Sequence, residues 1–200
     1  MKRKVFFLTL VAAIVLTNSV VGATGYPYHC DFSEWNELKE GETLVYTESQ
    51  GLPVGWTFYM PQSPKRADEV PGLWIEPTTD ARVGKWAVRV VDNSWTHSVG
   101  MISPEVPAEH YGRYTVSAWI KVIKCDPKDS IRAAAFFKTD EGLKRDNGLV
   151  LDISPGSDYE KIMFITKPAP AGTTGLYMYI WSEHEYTSEF LLDDVTIDEL

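Results

Sequence analysis

Leu176, Tyr177, Met178, Tyr179, Ile180 and Trp181 alternate in character. If Leu176, Met178 and Ile180 face a core, then Tyr177, Tyr179 and Trp181 share the opposite face of one strand. Every second residue of a strand recurs at about 6.8 Å, so three rigid rings would line up as platforms. Sugar rings present apolar C–H faces that stack on such platforms, and their hydroxyls need polar neighbours. By the same parity Trp119 faces outward with Thr115, Ser117 and Lys121, and Arg89 faces outward on another strand. An aromatic floor with an arginine donor and hydroxyls between is a recipe for a ligand cleft. Two other covers are open to the stripe: a loop such as residues 57–80, or another protein surface. Trp95 follows a strand within Asp92-Asn-Ser-Trp-Thr-His97. It is either a ligand platform at a sheet edge or a ring tucked over the sheet end.

A second grouping is acidic. Asp193 shares parity with Val195 and Ile197 and so heads inward, beside Asp194. A buried carboxylate needs a partner. The candidates are calcium, which takes six to eight oxygen ligands, a hydrogen-bond donor, or a lysine. Catalytic motifs are missing: no G-x-S-x-G elbow and no H-E-x-x-H occur, and His29, His97, His110 and His184 are scattered. A pair of glycosidase carboxylates cannot be picked out of so many acids by counting. The reading is therefore a non-enzyme.

The elements that must position these residues are short strands. Residues 85–91 alternate, with Trp86, Val88 and Val90 on one face. Residues 114–122 alternate throughout. Further strands are expected at 131–137, 158–166, 175–181 and 190–197, with an early one around 43–47. The connectors carry turn formers: Pro71-Gly72, Asp140-Glu-Gly142, Asp146-Asn-Gly148 and Pro168 to Gly172. Short strands at this spacing predict an all-β sandwich.

The chain has 200 residues, 19 basic and 28 acidic, for a net charge of −9. That balance argues against a nucleic-acid partner, which needs a basic stripe, and against electrostatic attachment to anionic lipid. Lys2-Arg3-Lys4 precedes an apolar run, Val5 to Leu16, then small residues up to Ala23. This is the layout of a secretory signal peptide cut before Thr24. A retained anchor is the alternative, but the run is shorter than the ~20 residues that span a bilayer. The expectation is a secreted, extracellular protein with one domain over residues 24–200 and no membrane contact once the leader is removed. In an oxidising compartment Cys30 and Cys125 either form a disulfide or remain two buried thiols.

Five pieces in order resemble carbohydrate-binding modules of the galactose-binding-like jelly-roll type, families four, nine and twenty-two. Asp31-Phe32-Ser33 followed by Gly55-Trp56 looks like their "GDFS … GW" opening. Gly84-Lys-Trp-Ala-Val-Arg-Val90 resembles their G-x-x-x-L-x-V strand, and Tyr114-Thr-Val-Ser-Ala-Trp-Ile-Lys121 their Y-x-x-S-x-W-x-K strand. Tyr159 to Phe164 stands for W-x-x-v-x-F, and Phe190-Leu-Leu-Asp-Asp-Val-Thr-Ile197 for the closing F-x-x-D-D-V-x-L. The resemblance implies a jelly-roll β-sandwich of two antiparallel sheets that holds a polysaccharide without catalysis. It also implies a structural calcium on Asp193, with Asp31, Glu34 and carbonyls near Gly84 as the partners here. The ligand residues would be Trp119, Tyr177, Tyr179, Trp181, Trp95 and Arg89. Such modules usually accompany a catalytic domain, and here the module fills the sequence after its leader. A second reading is therefore a self-assembling extracellular subunit of a fibre, tube or layer. In that reading residues 24–34 would form a homo-oligomer by adding a strand to a neighbour's sheet, with calcium locking subunits together.

Overall fold

The computed structural model describes residues 28–35, 52–60, 72–146 and 148–200. The leader at 1–23 and the strand expected at 43–47 lie outside these residues. In chain order the strands are β1 (Tyr28–Cys30), β2 (Thr57–Tyr59), β3 (Leu73–Thr78), β4 (Ala87–Asp92), β5 (Gly100–Ile102), β6 (Val106–Pro107), β7 (Tyr114–Asp126), β8 (Ile131–Thr139), β9 (Gly142–Arg145), β10 (Leu149–Val150), β11 (Glu160–Ile165), β12 (Thr173–Ser182) and β13 (Thr187–Glu199). No helix occurs among the described residues.

The strands form two antiparallel sheets. The first runs β11-β7-β13-β4-β3, with β1 also on β13. The second runs β10-β8-β12-β5-β2, with β6 on β12 and β9 on β8. The alternation read from the sequence sets the packing between them. Val116, Ala118, Ile120 and Val122 of β7 meet Leu176, Met178 and Ile180 of β12 and Ala133, Ala135 and Phe137 of β8 in one shared core. Trp56 and Phe32 close one part of that core, with their rings 5.3 Å apart. Two sheets with their apolar faces together make the expected all-β jelly-roll sandwich.

Three features of β13 bear on the sequence reading. First, its register against β7 shifts between Asp193 and Thr196, where Asp194 takes a left-handed φ of 49°. Such a bulge inserts one residue and reverses the alternation. Phe190 and Leu192 face the core on one side of it, and Val195 and Ile197 on the other. Asp193 therefore points away from the core, correcting the parity argument. Second, β1 occupies this strand: Tyr28, His29 and Cys30 pair with Ile197, Thr196 and Val195. These three residues are used within their own sheet and are not left free for a neighbour; residues 24–27 lie outside the described set. Third, Cys30 and Cys125 are both free thiols. Cys30 faces Val195 across one flank of β13, and Cys125 faces Ser188 across the other. Seven residues of strand separate those positions, about 23 Å at about 3.3 Å per residue. A disulfide needs its Cα atoms within about 7 Å, so the sandwich cannot close this bridge.

Candidate functional site

The predicted ligand residues divide between two faces. Arg89 and Trp119 lie on the outer face of the first sheet, and Tyr177, Tyr179 and Trp181 on the outer face of the second. No single cleft uses both sets.

On the first sheet the outer face is covered around Trp119, while Met163 and Ile165 of β11 stay exposed. The β3–β4 connection folds back across it. Arg82 lays its guanidinium 3.5 Å from the centre of the Trp119 ring. The Asp80 carbonyl accepts from the Tyr159 hydroxyl at 2.6 Å, and its carboxylate pairs with Lys121 at 2.8 Å. Arg89 is held between Glu189 and Glu76, both at 2.7 Å. The hydrogen bond to Glu189 leads in raising its pKa further. This arginine is spent on its neighbours.

Asp193 is buried beneath the same connection. Its Oδ2 accepts from the backbone N–H of Arg82 at 2.7 Å and of Val83 at 2.9 Å, and its Oδ1 from that of Asp194 at 2.8 Å. Burial pushes its pKa up, and those three amides oppose the rise. A calcium ion takes oxygens, whereas N–H dipoles aimed at a carboxylate turn positive ends toward the place a cation would fill. Asp31 spends Oδ1 on the Ser33 amide, and Glu34 contributes a backbone carbonyl to Val54. Among the described residues no three His, Cys, Asp or Glu side chains gather to hold a metal. Asp193, Asp31 and Glu34 therefore do not fit the calcium site expected of them. The donor chosen is the backbone of a loop.

On the second sheet the stripe is real and larger than the sequence suggested. Tyr177, Tyr179 and Trp181 gather Tyr59 from β2, Ile102 from β5 and Ala134 and Phe136 from β8 into a second apolar cluster. Phe136 lies 4.1 Å from Tyr179, and Tyr59 meets Tyr179 and Trp181 at 5.4 and 5.5 Å. The register makes this possible: Tyr177, Tyr179 and Trp181 face Phe136, Ala134 and Arg132, and the small Ala134 leaves room for rings on both sides. The same crowding covers part of the stripe. Tyr179 is 7 % exposed and Trp181 4 %, the latter with Arg145 5.1 Å from its ring centre. The rings left partly open are Tyr59, Phe136 and Tyr177.

Beside them runs a groove of about 600 Å³, lined by Thr57, Ile102, Lys138, Leu143, Tyr177 and Tyr179 among others. Its polar end is a network. The Tyr177 hydroxyl donates to Glu105 at 2.6 Å, and Lys138 donates to the same carboxylate at 2.7 Å. Partial burial would raise the Glu105 pKa, but the bonds from Lys138 and Tyr177 hold it below its ordinary range. Burial, then Glu105, push the Tyr177 phenol far upward, so it stays a donor. Trp95 stands apart on the β4–β5 connection, 59 % exposed and outside the groove lining. Of the groove residues, the sequence reading missed Thr57, Ile102, Lys138 and Leu143. Lys138 was beyond the predicted end of its strand, and Leu143 sits in β9, where Asp140-Glu-Gly142 read as a turn.

No family model matches the chain, and no curated protein sequence matches it. Solved structures do share its architecture. The enzymatically active domain of bacteriophage CBA120 tailspike protein 4 superposes with a TM-score of 0.55 at 10% identity, over 78% of this chain and 22% of that one. This chain thus corresponds to about a fifth of the tailspike chain. A family 16 carbohydrate-binding module superposes at 0.47 and 15% identity, over 64% of this chain and 86% of the module. The CBM22-1 xylan-binding domain from Paenibacillus barcinonensis Xyn10C gives 0.46 and 14%, over 79% and 92%. What the tailspike superposition shows is a shared fold, an all-β sandwich of two antiparallel sheets.

Proposed function

We propose that this protein is a glycan-binding module. It holds a polysaccharide chain along the outer face of the second sheet, without catalysis. The observation that carries this reading is the groove beside the gathered rings of Tyr59, Phe136, Tyr177 and Tyr179, with Glu105 and Lys138 fixed at its polar end. Apolar walls with a few placed polar groups suit a ligand that is half C–H surface and half hydroxyl. Rings already packed against one another lose little freedom when a sugar stacks on them. The leader-like residues 1–23 support export to where polysaccharides are met.

The test is affinity electrophoresis of the folded protein through gels containing soluble xylan, β-glucan, galactan, polygalacturonate or alginate. Retardation by at least one of them is expected. Tyr177→Ala should weaken that interaction about tenfold, the equivalent of ~1.4 kcal/mol, while Tyr177→Phe keeps most of it. Free migration in every gel would overturn the reading.

A further inference from the structure

Three cations on the outer face of the second sheet adjoin the aromatic cluster, and they are not equivalent. Arg132 is paired with Glu183 at 3.0 Å, and Lys138 with Glu105 at 2.7 Å. The side chain of Arg145, opposite Phe136 on β9, has no carboxylate or hydrogen-bond partner among the described residues, although the chain has nine more acids than bases. Its guanidinium lies 5.1 Å from the Trp181 ring centre, where the π face orients it and lowers its freedom. A guanidinium so held presents a fork of N–H donors whose geometry matches a carboxylate.

The charge continues past Arg145. With Lys144 and Lys167 it lines a second groove of about 290 Å³, walled by Phe137, Pro168 and Pro170. The acid in that lining, Asp146, already accepts the backbone N–H of Lys167 at 2.8 Å. The exposed Lys144 meets Glu141 at 3.0 Å, a surface pairing of small worth. In these mixed surroundings the cation that stands out at the β9 side of the aromatic face is the Arg145 guanidinium. The overall negative charge does not cancel it, because charges beyond about 8 Å are screened at physiological salt.

Resting on the glycan reading, we infer that the chain held on this face is acidic: a polysaccharide bearing carboxylates, with uronic-acid residues anchored at Arg145. The neutral ring faces lie on the aromatic cluster, and the carboxylate meets the guanidinium fork.

Polygalacturonate and its fully methyl-esterified form share a backbone and differ in charge, so they are the first probes, with alginate as a second uronate backbone and xylan, β-glucan and galactan as neutral chains. Affinity electrophoresis is run at low salt and at about 0.15 M. Free uronates are expected to retard the protein at least tenfold more strongly than the ester and the neutral chains. Arg145→Gln should abolish that preference. Arg145→Lys, which keeps the charge and loses the fork, should retain only part of it. Lys161→Gln, on β11 of the other sheet, should change nothing. Melting curves confirm that each variant is folded. Binding of neutral chains or ester equal to or tighter than the free acids would overturn the role of Arg145 and leave the glycan reading standing. An undiminished preference in Arg145→Gln would also overturn that role. No retardation by any chain would overturn both.

Discussion

Asp92 is the residue where burial and charge conflict most plainly. It is fully buried at the end of β4, directly opposite Ser188 of β13. Its Oδ1 accepts from the Ser94 N–H at 2.9 Å. Its Oδ2, and the hydroxyls of Ser182 and Ser188, have no partner among the described residues. Burial raises its pKa from 3.8 to about 6. The sign follows: between those values the folded chain binds more protons than the unfolded chain, so this group's stability is fully present in acid and is lost as pH rises through 6. Two units correspond to about 3 kcal/mol. Asp92→Asn keeps the Ser94 bond, carries no charge, and offers an N–H₂ toward the serine oxygens. The variant and the wild type should be equally stable below about pH 3, with the variant ahead by about 3 kcal/mol above about pH 7. Urea unfolding across that range measures it, and a gap that stays constant with pH would refute the assignment.

At the scale of elements, β13 decides most of what the sequence did and did not reveal. The alternation of β7 was legible because one of its faces is apolar and the other carries polar side chains, and β8 was legible as a short apolar run. The bulge at Asp194 was not legible, because one inserted residue leaves no compositional mark, and so Asp193 was sent to the wrong face. Its true place caps the β3–β4 connection through the amides of Arg82 and Val83. Asp193→Ala leaves those donors unpaired and should cost about 3 kcal/mol. It should also speed tryptic cleavage after Arg82, which time-resolved digestion will show; an unchanged rate would mean the loop is held by Arg82 on Trp119 instead. β13 also keeps β1 and β7 on opposite flanks. Protein purified without reductant and then unfolded should therefore titrate two thiols per chain. A tryptic peptide joining Cys30 to Cys125 would contradict this register. The aromatic site was half legible for a related reason. Parity found the rings of β12, but sequence cannot say that β4 and β7 belong to one sheet and β12 to the other, so Arg89 and Trp119 were joined to the wrong face.

For the whole molecule, that division of strands gives the two outer faces different work. The first is occupied by its own chain around Trp119: Arg82 on Trp119, Asp80 on Lys121 and Tyr159, Arg89 between two glutamates. Removing a ring there exposes a face that is already partnered, so the loss falls on stability. The second face has rings packed against each other with a groove left beside them, so the loss of an open ring falls on the ligand. Trp119→Ala should lower the unfolding free energy by about 2–4 kcal/mol, within the range for large-to-small changes at partly buried rings, and leave polysaccharide affinity unchanged. Tyr59→Ala should do the reverse, weakening binding several-fold with a smaller effect on melting. Measuring both quantities on both variants separates the faces. If Trp119→Ala lost affinity while its melting was unaltered, the ligand would lie on the first sheet, and the loop over it would have to be a cover that the ligand displaces.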